Sequence, residues 1–297
     1  MNIYTIDLSF QSHKDTIACF LLEINNELAL IESGPDSTFE QLTAAIADLG
    51  FDYRNIKKVF LTHIHLDHAG GAWRFADHGA TIYVHPLGAK HMENPEKLYN
   101  SAKRIYQDDM ERLWGAMNPI ANDQIVSVEN GESFEIGDKK IVGWHTPGHA
   151  IHHIAWQIDE KLWTGDVAGV KIKNGPVVPP CPPPDINIEQ WFESIDIINN
   201  LPVNELYLTH FGIIKNKEAH LEKLKLILED WKNWMYPYFE ANTAAEEIIP
   251  EFIKYCNANL IKNGLNAEEI ACYESANPAF MSVGGLLRYW KIKTTVS

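Results

Sequence analysis

From Thr62 the chain reads Thr-His-Ile-His-Leu-Asp-His-Ala-Gly-Gly, which places His63, His65, Asp67 and His68 in one short stretch. Imidazole and carboxylate are ligands for divalent transition ions. Three imidazoles and a carboxylate this close together would be costly to bury without metal. Residues two apart in extended backbone project to the same side, so His63 and His65 can share one ion. Asp67 and His68, at the start of an expected helix, can address a second ion beside it. Gly70 and Gly71 leave room for backbone to pack closely beneath. The pattern arises by chance in roughly one shuffled sequence per thousand of this composition. Three further segments each carry a candidate ligand directly after an expected strand: Thr146-Pro147-Gly148-His149, Thr164-Gly165-Asp166 and Thr209-His210-Phe211-Gly212. Taken singly, each reads as an ordinary turn.

The elements that must hold these residues are strand-rich. Strands are expected over 3–8, 16–22, 28–32, 57–61, 81–85, 124–128, 133–136, 140–144, 154–158, 161–164 and 205–209, from β-branched and aromatic runs broken by polar turns. Ser37 with Glu40 resembles a capping box, and Leu42, Ile46 and Leu49 stand at helical spacing before Gly50. Residues 86–118, with Tyr99, Tyr106 and Trp114, read as helices covering one end of the sheet. Residues 175–184 hold six prolines and form a stiffened loop. Beyond Gly212 the pattern turns helical: Leu221, Leu224, Leu228, Trp231 and Trp234 make one stripe, residues 248–260 suggest a second helix, and Asn277-Pro278 reads as the start of a third. The expected division is a body of 1–212 and a helical extension of 213–297.

A chain of 297 residues with 45% hydrophobic and 22% charged residues can bury a full core, which excludes a disordered tail or a fibre. The formal charge of −15 repels polyanions, so nucleic acid is a poor partner and a small-molecule substrate the better one. The start, from Met1 to Asp7, lacks the basic opening and apolar run of a secretory signal, and no apolar run is long enough to span a membrane. Cys19, Cys181, Cys256 and Cys272 form no C-x-x-C pair. The expectation is therefore a cytoplasmic protein with neither a disulfide framework nor a thiolate zinc site.

Taken in order along the chain, the H-x-H-x-D-H box, the His after a Pro-Gly turn, the Asp after a Gly and the final His resemble the metallo-β-lactamase superfamily, over about residues 1–212. The resemblance implies an α/β fold, an αββα four-layer sandwich, here with a C-terminal helical appendage of the kind with which glyoxalase II also ends. It implies that His63, His65 and His149 bind a first divalent ion, that Asp67, His68 and His210 bind a second, and that Asp166 bridges them. Zinc is the first expectation, with manganese or iron as alternatives. Where the family usually has Asp-x-Gly before the first long helix, this chain has Glu32-Ser33-Gly34, so the contact made from that position must come from a shifted place. The family often carries a second histidine where His153 stands, which reads equally as a support to the ligands or a buried hydrogen-bonded residue. His85, His91 and His145 read as structural.

The chemistry so implied is hydrolysis of a small-molecule ester, thioester, lactone or amide. A hydroxide bridging two ions attacks the carbonyl, the ions stabilise the tetrahedral anion, and Asp67 carries a proton to the leaving group. The competing readings are a mononuclear iron persulfide dioxygenase-like oxidoreductase and a non-catalytic metal-binding protein. Trp231, Trp234 and Trp290 pack on the body or form a homodimer contact; packing within the chain is the favoured reading.

Overall fold

The computed structural model describes residues 1–295. Two six-stranded sheets face each other. The first comprises β1 (Asn2–Asp7), β2 (Ala18–Ile24), β3 (Glu27–Ile31), β4 (Lys58–Phe60), β5 (Thr81–Val84) and β6 (Ile125–Ser127), in that spatial order. The second comprises β7 (Ser133–Ile136), β8 (Lys139–His145), β9 (Ile154–Ile158), β10 (Lys161–Gly165), β11 (Glu205–Leu208) and β12 (Gly212–Ile214), ordered β12-β11-β10-β9-β8-β7. Strands β3 to β6 run parallel, as do β10 and β11, so the loops after β4, β10 and β11 carry the chain away from strand ends.

The layering follows from period-2 alternation in strands buried on both faces. On β2, Ala18, Phe20, Leu22 and Ile24 enter the core between the sheets, where they meet Trp156 and Trp163. Cys19 and Leu21 on the same strand face outward, under the helices of residues 39–48, 66–76 and 86–114. Across the molecule, Ala155, Leu162 and Leu206 face the helix Ile188–Asn200 and the C-terminal helices. This is the four-layer sandwich that the sequence led us to expect.

Three details differ. Ser37 forms no capping box: its hydroxyl donates to Leu113 O at 2.5 Å, and a 3-10 turn over Asp36–Thr38 precedes the helix Phe39–Asp48. A tertiary partner has outcompeted the local one. The short strand β12 pairs with β11, so the second sheet runs to Ile214. Among the described residues the tail comprises four helices rather than three: Lys217–Glu240, Ala245–Lys262, Ala267–Ala276 and Ala279–Thr295.

Leu221, Leu224 and Leu228 are fully buried in the core that also takes up the outer face of the second sheet. Each contributes roughly 1.5–3 kcal/mol relative to exposure, whereas a surface ion pair contributes at most about 1 kcal/mol. Burial therefore attaches the tail. Its tryptophans pack within the chain: Trp231 and Trp234 lie against Phe252, and Trp290 donates to Lys232 O. Prolines offer carbonyls but no N–H, and the tail supplies the missing donors to the proline-rich loop. Tyr273 bonds Pro176 O, Asn277 bonds Pro179 O and Arg288 bonds Pro184 O. Among the described residues no helix is long and apolar enough to cross a membrane.

His220 joins the tail to the loop after β10, its Nε2–H donating to Ala168 O at 2.8 Å. Burial pushes this imidazole down to about 4. The unfolded chain titrates near 6.5, so it takes up the proton first. The neutral-histidine stability is complete above pH 6.5 and is lost as pH falls towards 4, by about 3 kcal/mol. Denaturant titrations across that window are expected to give His220→Asn a shallower loss of stability with acid than the wild type. Equal slopes would show that His220 is not the titrating group.

Candidate metal centre

The sheets bring all seven sequence-predicted residues to one place. His63 and His65 lie in the loop after β4, and Asp67 and His68 on the single helical turn Leu66–Ala69. His149 comes from the β8–β9 loop, Asp166 follows β10 and His210 follows β11. His63 Nε2 lies 2.9 Å from His65 Nδ1 and 3.2 Å from His149 Nε2, and His149 Nε2 lies 3.1 Å from His65 Nδ1. Beside this triangle, Asp67 Oδ2 lies 3.4 Å from His68 Nε2 and 3.3 Å from His210 Nε2. Asp166 stands between, with Oδ2 3.3 Å from His149 Nε2 and Oδ1 3.3 Å from His68 Nε2 and 3.4 Å from His210 Nε2. Both triads are spaced so that each could hold an ion, and so is the overlapping group His63, His68 and Asp166.

The surrounding contacts test whether such ions fit. The far nitrogen of three buried candidate ligands is already engaged: His149 Nδ1–H donates to Pro180 O at 2.8 Å, His210 Nδ1–H to Thr16 O at 2.6 Å, and His68 Nδ1–H to Glu32 Oε1 at 2.8 Å. These bonds occupy Nδ1, so Nε2 is the nitrogen turned to the centre and the one that an ion would take on displacing any proton there. His68 Nε2, His210 Nε2 and Asp166 Oδ1 are buried with no hydrogen-bond partner, and such orphans are costly unless something satisfies them. The donor set fits divalent metal.

Electrostatics divide the two groups. Burial pushes His65 down to about 3, with the neighbouring His149 adding to it, and burial likewise holds His63 well below its usual value. Burial also opposes charge on His68, but Asp67, Asp166 and Glu32 together raise it well above the usual value. His210 is raised in the same way by Asp166 and Asp67 against its burial. The two aspartates, though buried, are held below the usual carboxylate range chiefly by His68.

Close approach of backbone sets these positions. Gly165 has φ +48°, and a Cβ there would lie 2.4 Å from Thr62 Oγ1 and 2.7 Å from His153 Nε2, so only glycine fits before Asp166. The expected packing at Gly71 is found, where the N–H bonds Gly34 O at 2.8 Å.

Glu32 keeps the contact that its greater length had put in question. It sits at φ +64°, fully buried, and its carboxylate accepts from Thr62 N–H, Thr62 Oγ1–H, Thr209 Oγ1–H and His68 Nδ1–H. His153 reaches the centre through backbone: Nε2 accepts from Asp166 N–H at 3.2 Å while Nδ1 pairs with Thr146 Oγ1 at 2.8 Å. His85 and His145 pack on each other with ring centroids 4.1 Å apart, whereas His91 reaches a large cavity that His65, Asp67, Asp166 and His210 also line.

That cavity, about 980 Å³, is lined by the helices of residues 86–114, the proline-rich loop and, beyond what the sequence suggested, the ends of two tail helices around Glu274 and Phe280. Tyr106 and Trp114 line it; Tyr99 does not, since its hydroxyl is spent on Gly115 O. His152, missed from the sequence, also lines it, with Nδ1 unpartnered and Nε2 3.8 Å from Asp185. No periodicity marks His152; only the fold brings it there.

Residues 14–210 match the Metallo-beta-lactamase superfamily, and the chain belongs to it. The metallo-beta-lactamase fold-containing protein ST1585 of Sulfurisphaera tokodaii is 30% identical over 61% of this chain and 70% of that protein. A hydroxyacylglutathione hydrolase of Vibrio campbellii is 24% identical over 80% of this chain and 81% of its own length. Against other relatives the chain spans only about half of their length, as with an atrochrysone carboxyl ACP thioesterase of Aspergillus fumigatus, 24% identical over 69% of this chain and 53% of that one. Among solved structures, the metallo-beta-lactamase family protein TTHA1429 of Thermus thermophilus superposes with a TM-score of 0.67 at 20% identity, over 98% of this chain and 94% of that one. This likeness in fold takes in the tail as well as the sheets.

Proposed function

We propose that the protein is a binuclear metal-dependent hydrolase of a small-molecule ester, thioester, lactone or amide. One observation carries the reading: Asp166 turns one oxygen to each of two triads, and three buried atoms without partners, His68 Nε2, His210 Nε2 and its own Oδ1, lie together there. His63, His65 and His149 would hold one ion, Asp67, His68 and His210 the other, and Asp166 both. Zinc is the first choice; this donor set also accepts manganese and iron, and availability decides among them. Bound there, the ions supply Lewis acidity, bringing the pKa of water near neutrality and polarising a carbonyl.

The chain's own residues do the rest. Glu32, Pro180 and Thr16 orient the imidazoles. Asp67 is the more open of the two carboxylates, its side chain 20% exposed against 4% for Asp166, and it faces the cavity. It is the group placed to pass a proton to the leaving atom. Tyr106, also facing the cavity, stays a neutral hydrogen-bond donor because burial and then the charge of Asp67 raise its pKa.

A mononuclear iron dioxygenase would share the histidine box, and metal content separates it from the hydrolase. Relatives named for hydrolysis of thioesters support a carbonyl substrate, and the charge of −15 disfavours nucleic acid. The four unpaired cysteines suit a reducing compartment such as the cytoplasm. The test is a panel of carbonyl esters, thioesters, lactones and amides given to metal-loaded and chelated protein. Turnover confined to the loaded form is expected; equal turnover in both forms would overturn the reading.

A linked expectation concerns pH. His68 and His210 hold protons more tightly than ordinary imidazoles, so the ion at their triad must displace them. Calorimetry in buffers of differing ionisation enthalpy is expected to show proton release at this ion and its earlier loss on acidification. Uptake without proton release would contradict the charge state described above.

A further inference from the structure

The cavity beside the metal centre has an unusual mouth. Leu87, Ile105, Ile151 and Phe280 are large apolar side chains, 54%, 39%, 45% and 37% exposed, from four separate segments of the chain. All four line this one cavity. Singly exposed apolar residues are ordinary on a protein surface; convergence on one opening is a patch, and patches mark binding sites. Inside, the apolar lining continues to Ile64 and Leu66, which flank the candidate ligands His65 and Asp67. Apolar side chains thus line the cavity both at its exposed residues and beside the candidate ligands.

Charge narrows the substrate further. Among the described residues the cavity is lined by one lysine, Lys97, and one arginine, Arg112, and Arg112 is already paired with Asp109 at 2.9 Å. Asp109, Asp185 and Glu274 stand against them, besides the carboxylates of the centre itself. A carrier bearing several phosphates or carboxylates would find only these two permanent cations, with Asp67, Asp109, Asp166, Asp185 and Glu274 in the same lining. At about 980 Å³ the cavity is at the upper end of the range for small-molecule sites, more than a short acyl group needs.

We infer that the substrate is an ester, thioester or lactone of an extended apolar carboxylic acid with an uncharged leaving group, its acyl chain lying between the metal centre and the Leu87, Ile105, Ile151 and Phe280 rim. This rests on the hydrolase reading above. Water adds its oxygen to the acyl carbon, the acyl C–O or C–S bond breaks, and the proton leaves with the alcohol or thiol. The tail therefore takes part in selecting the substrate, since Phe280 belongs to its last helix.

Two measurements on the zinc-loaded chain test this. The first is kcat/KM for para-nitrophenyl esters from acetate to dodecanoate, and for a neutral thioester against the glutathione thioester of the same acid. Burial of each added methylene is expected to raise kcat/KM up to roughly fourfold until the cavity is filled, and the glutathione thioester should gain nothing over the neutral one. The second is calorimetric binding of acetate, hexanoate and decanoate, which does not depend on turnover and should tighten along the series. Ile105→Asn combined with Phe280→Asn, both at exposed positions, is expected to collapse the long-to-short ratio at least tenfold in both measurements. Leu226→Asn, exposed elsewhere on the tail, should leave the ratio unchanged.

Turnover without chain-length dependence, or a ratio indifferent to the rim pair, would overturn the inference and leave the hydrolase reading standing. So would a clear preference for the glutathione thioester. Length-dependent binding that the rim pair abolishes, with no turnover of any ester, would sink the hydrolase reading and retain the apolar acyl site. Neither turnover nor length-dependent binding would overturn both.

Discussion

Asp166→Asn is expected to keep the fold and lose the function. The amide has nearly the carboxylate's shape, and the Asp166 backbone N–H to His153 is untouched by the change. What disappears is the negative charge shared by the two triads, through Oδ2 near His149 and Oδ1 near His68 and His210. Without it each triad loses its common anionic ligand, and at least one of the two expected ions should be absent from purified protein. A divalent ion polarising a carbonyl supplies several kcal/mol of transition-state stabilisation. Losing about 4 kcal/mol of it corresponds to roughly a thousandfold in kcat. Elemental analysis and kcat, measured on the same sample beside a circular dichroism spectrum, check this. A variant that keeps full metal content and more than a tenth of the activity would remove Asp166 from the role of bridge.

Glu32 is the second large effect, and it lies outside the ligand set. Four donors converge on its buried carboxylate, and one of them, His68 Nδ1–H, sets the orientation of a candidate ligand. Glu32→Gln replaces one acceptor oxygen by a donor, so at least one of those four groups is left unmatched. Each unsatisfied buried group costs about 1–3 kcal/mol, and loss of a carboxylate behind a ligating histidine typically weakens metal binding about 10- to 100-fold. Glu32→Asp retains charge but draws the carboxylate back by about 1.5 Å, one C–C bond, and is expected to restore little. Competition with a chelator and thermal melting read the two effects separately. Wild-type metal affinity in Glu32→Gln would contradict the account of the histidine scaffold.

Much of this was legible in the sequence because it rests on local pattern. The alternation in β2 and β9 fixes which side chains enter the space between the sheets, and the histidine box follows directly on β4. His149, Asp166 and His210 each follow a strand-like run, and all seven expected residues meet in space. What was not legible depends on contacts between distant segments. Ser37 has the spacing of a capping box but bonds Leu113, far along the chain. Tyr99 and Tyr106 share a helix, yet only Tyr106 faces the cavity. The reach of Glu32 could not be foreseen, because its left-handed backbone, at a cost on the order of 1–3 kcal/mol, is what aims the longer side chain at His68. Nor could the part of the tail in the cavity wall, which follows from the way Tyr273, Asn277 and Arg288 satisfy the carbonyls of a loop rich in proline.

The central claim is that two divalent ions share Asp166 in a hydrolytic centre, and elemental analysis of the purified chain, paired with ester and thioester turnover before and after chelation, tests it most directly. Two zinc or manganese ions per chain are expected, with turnover lost on chelation and restored on reloading. A single iron per chain, with oxygen consumed in the presence of a persulfide and no carbonyl substrate hydrolysed, would contradict it.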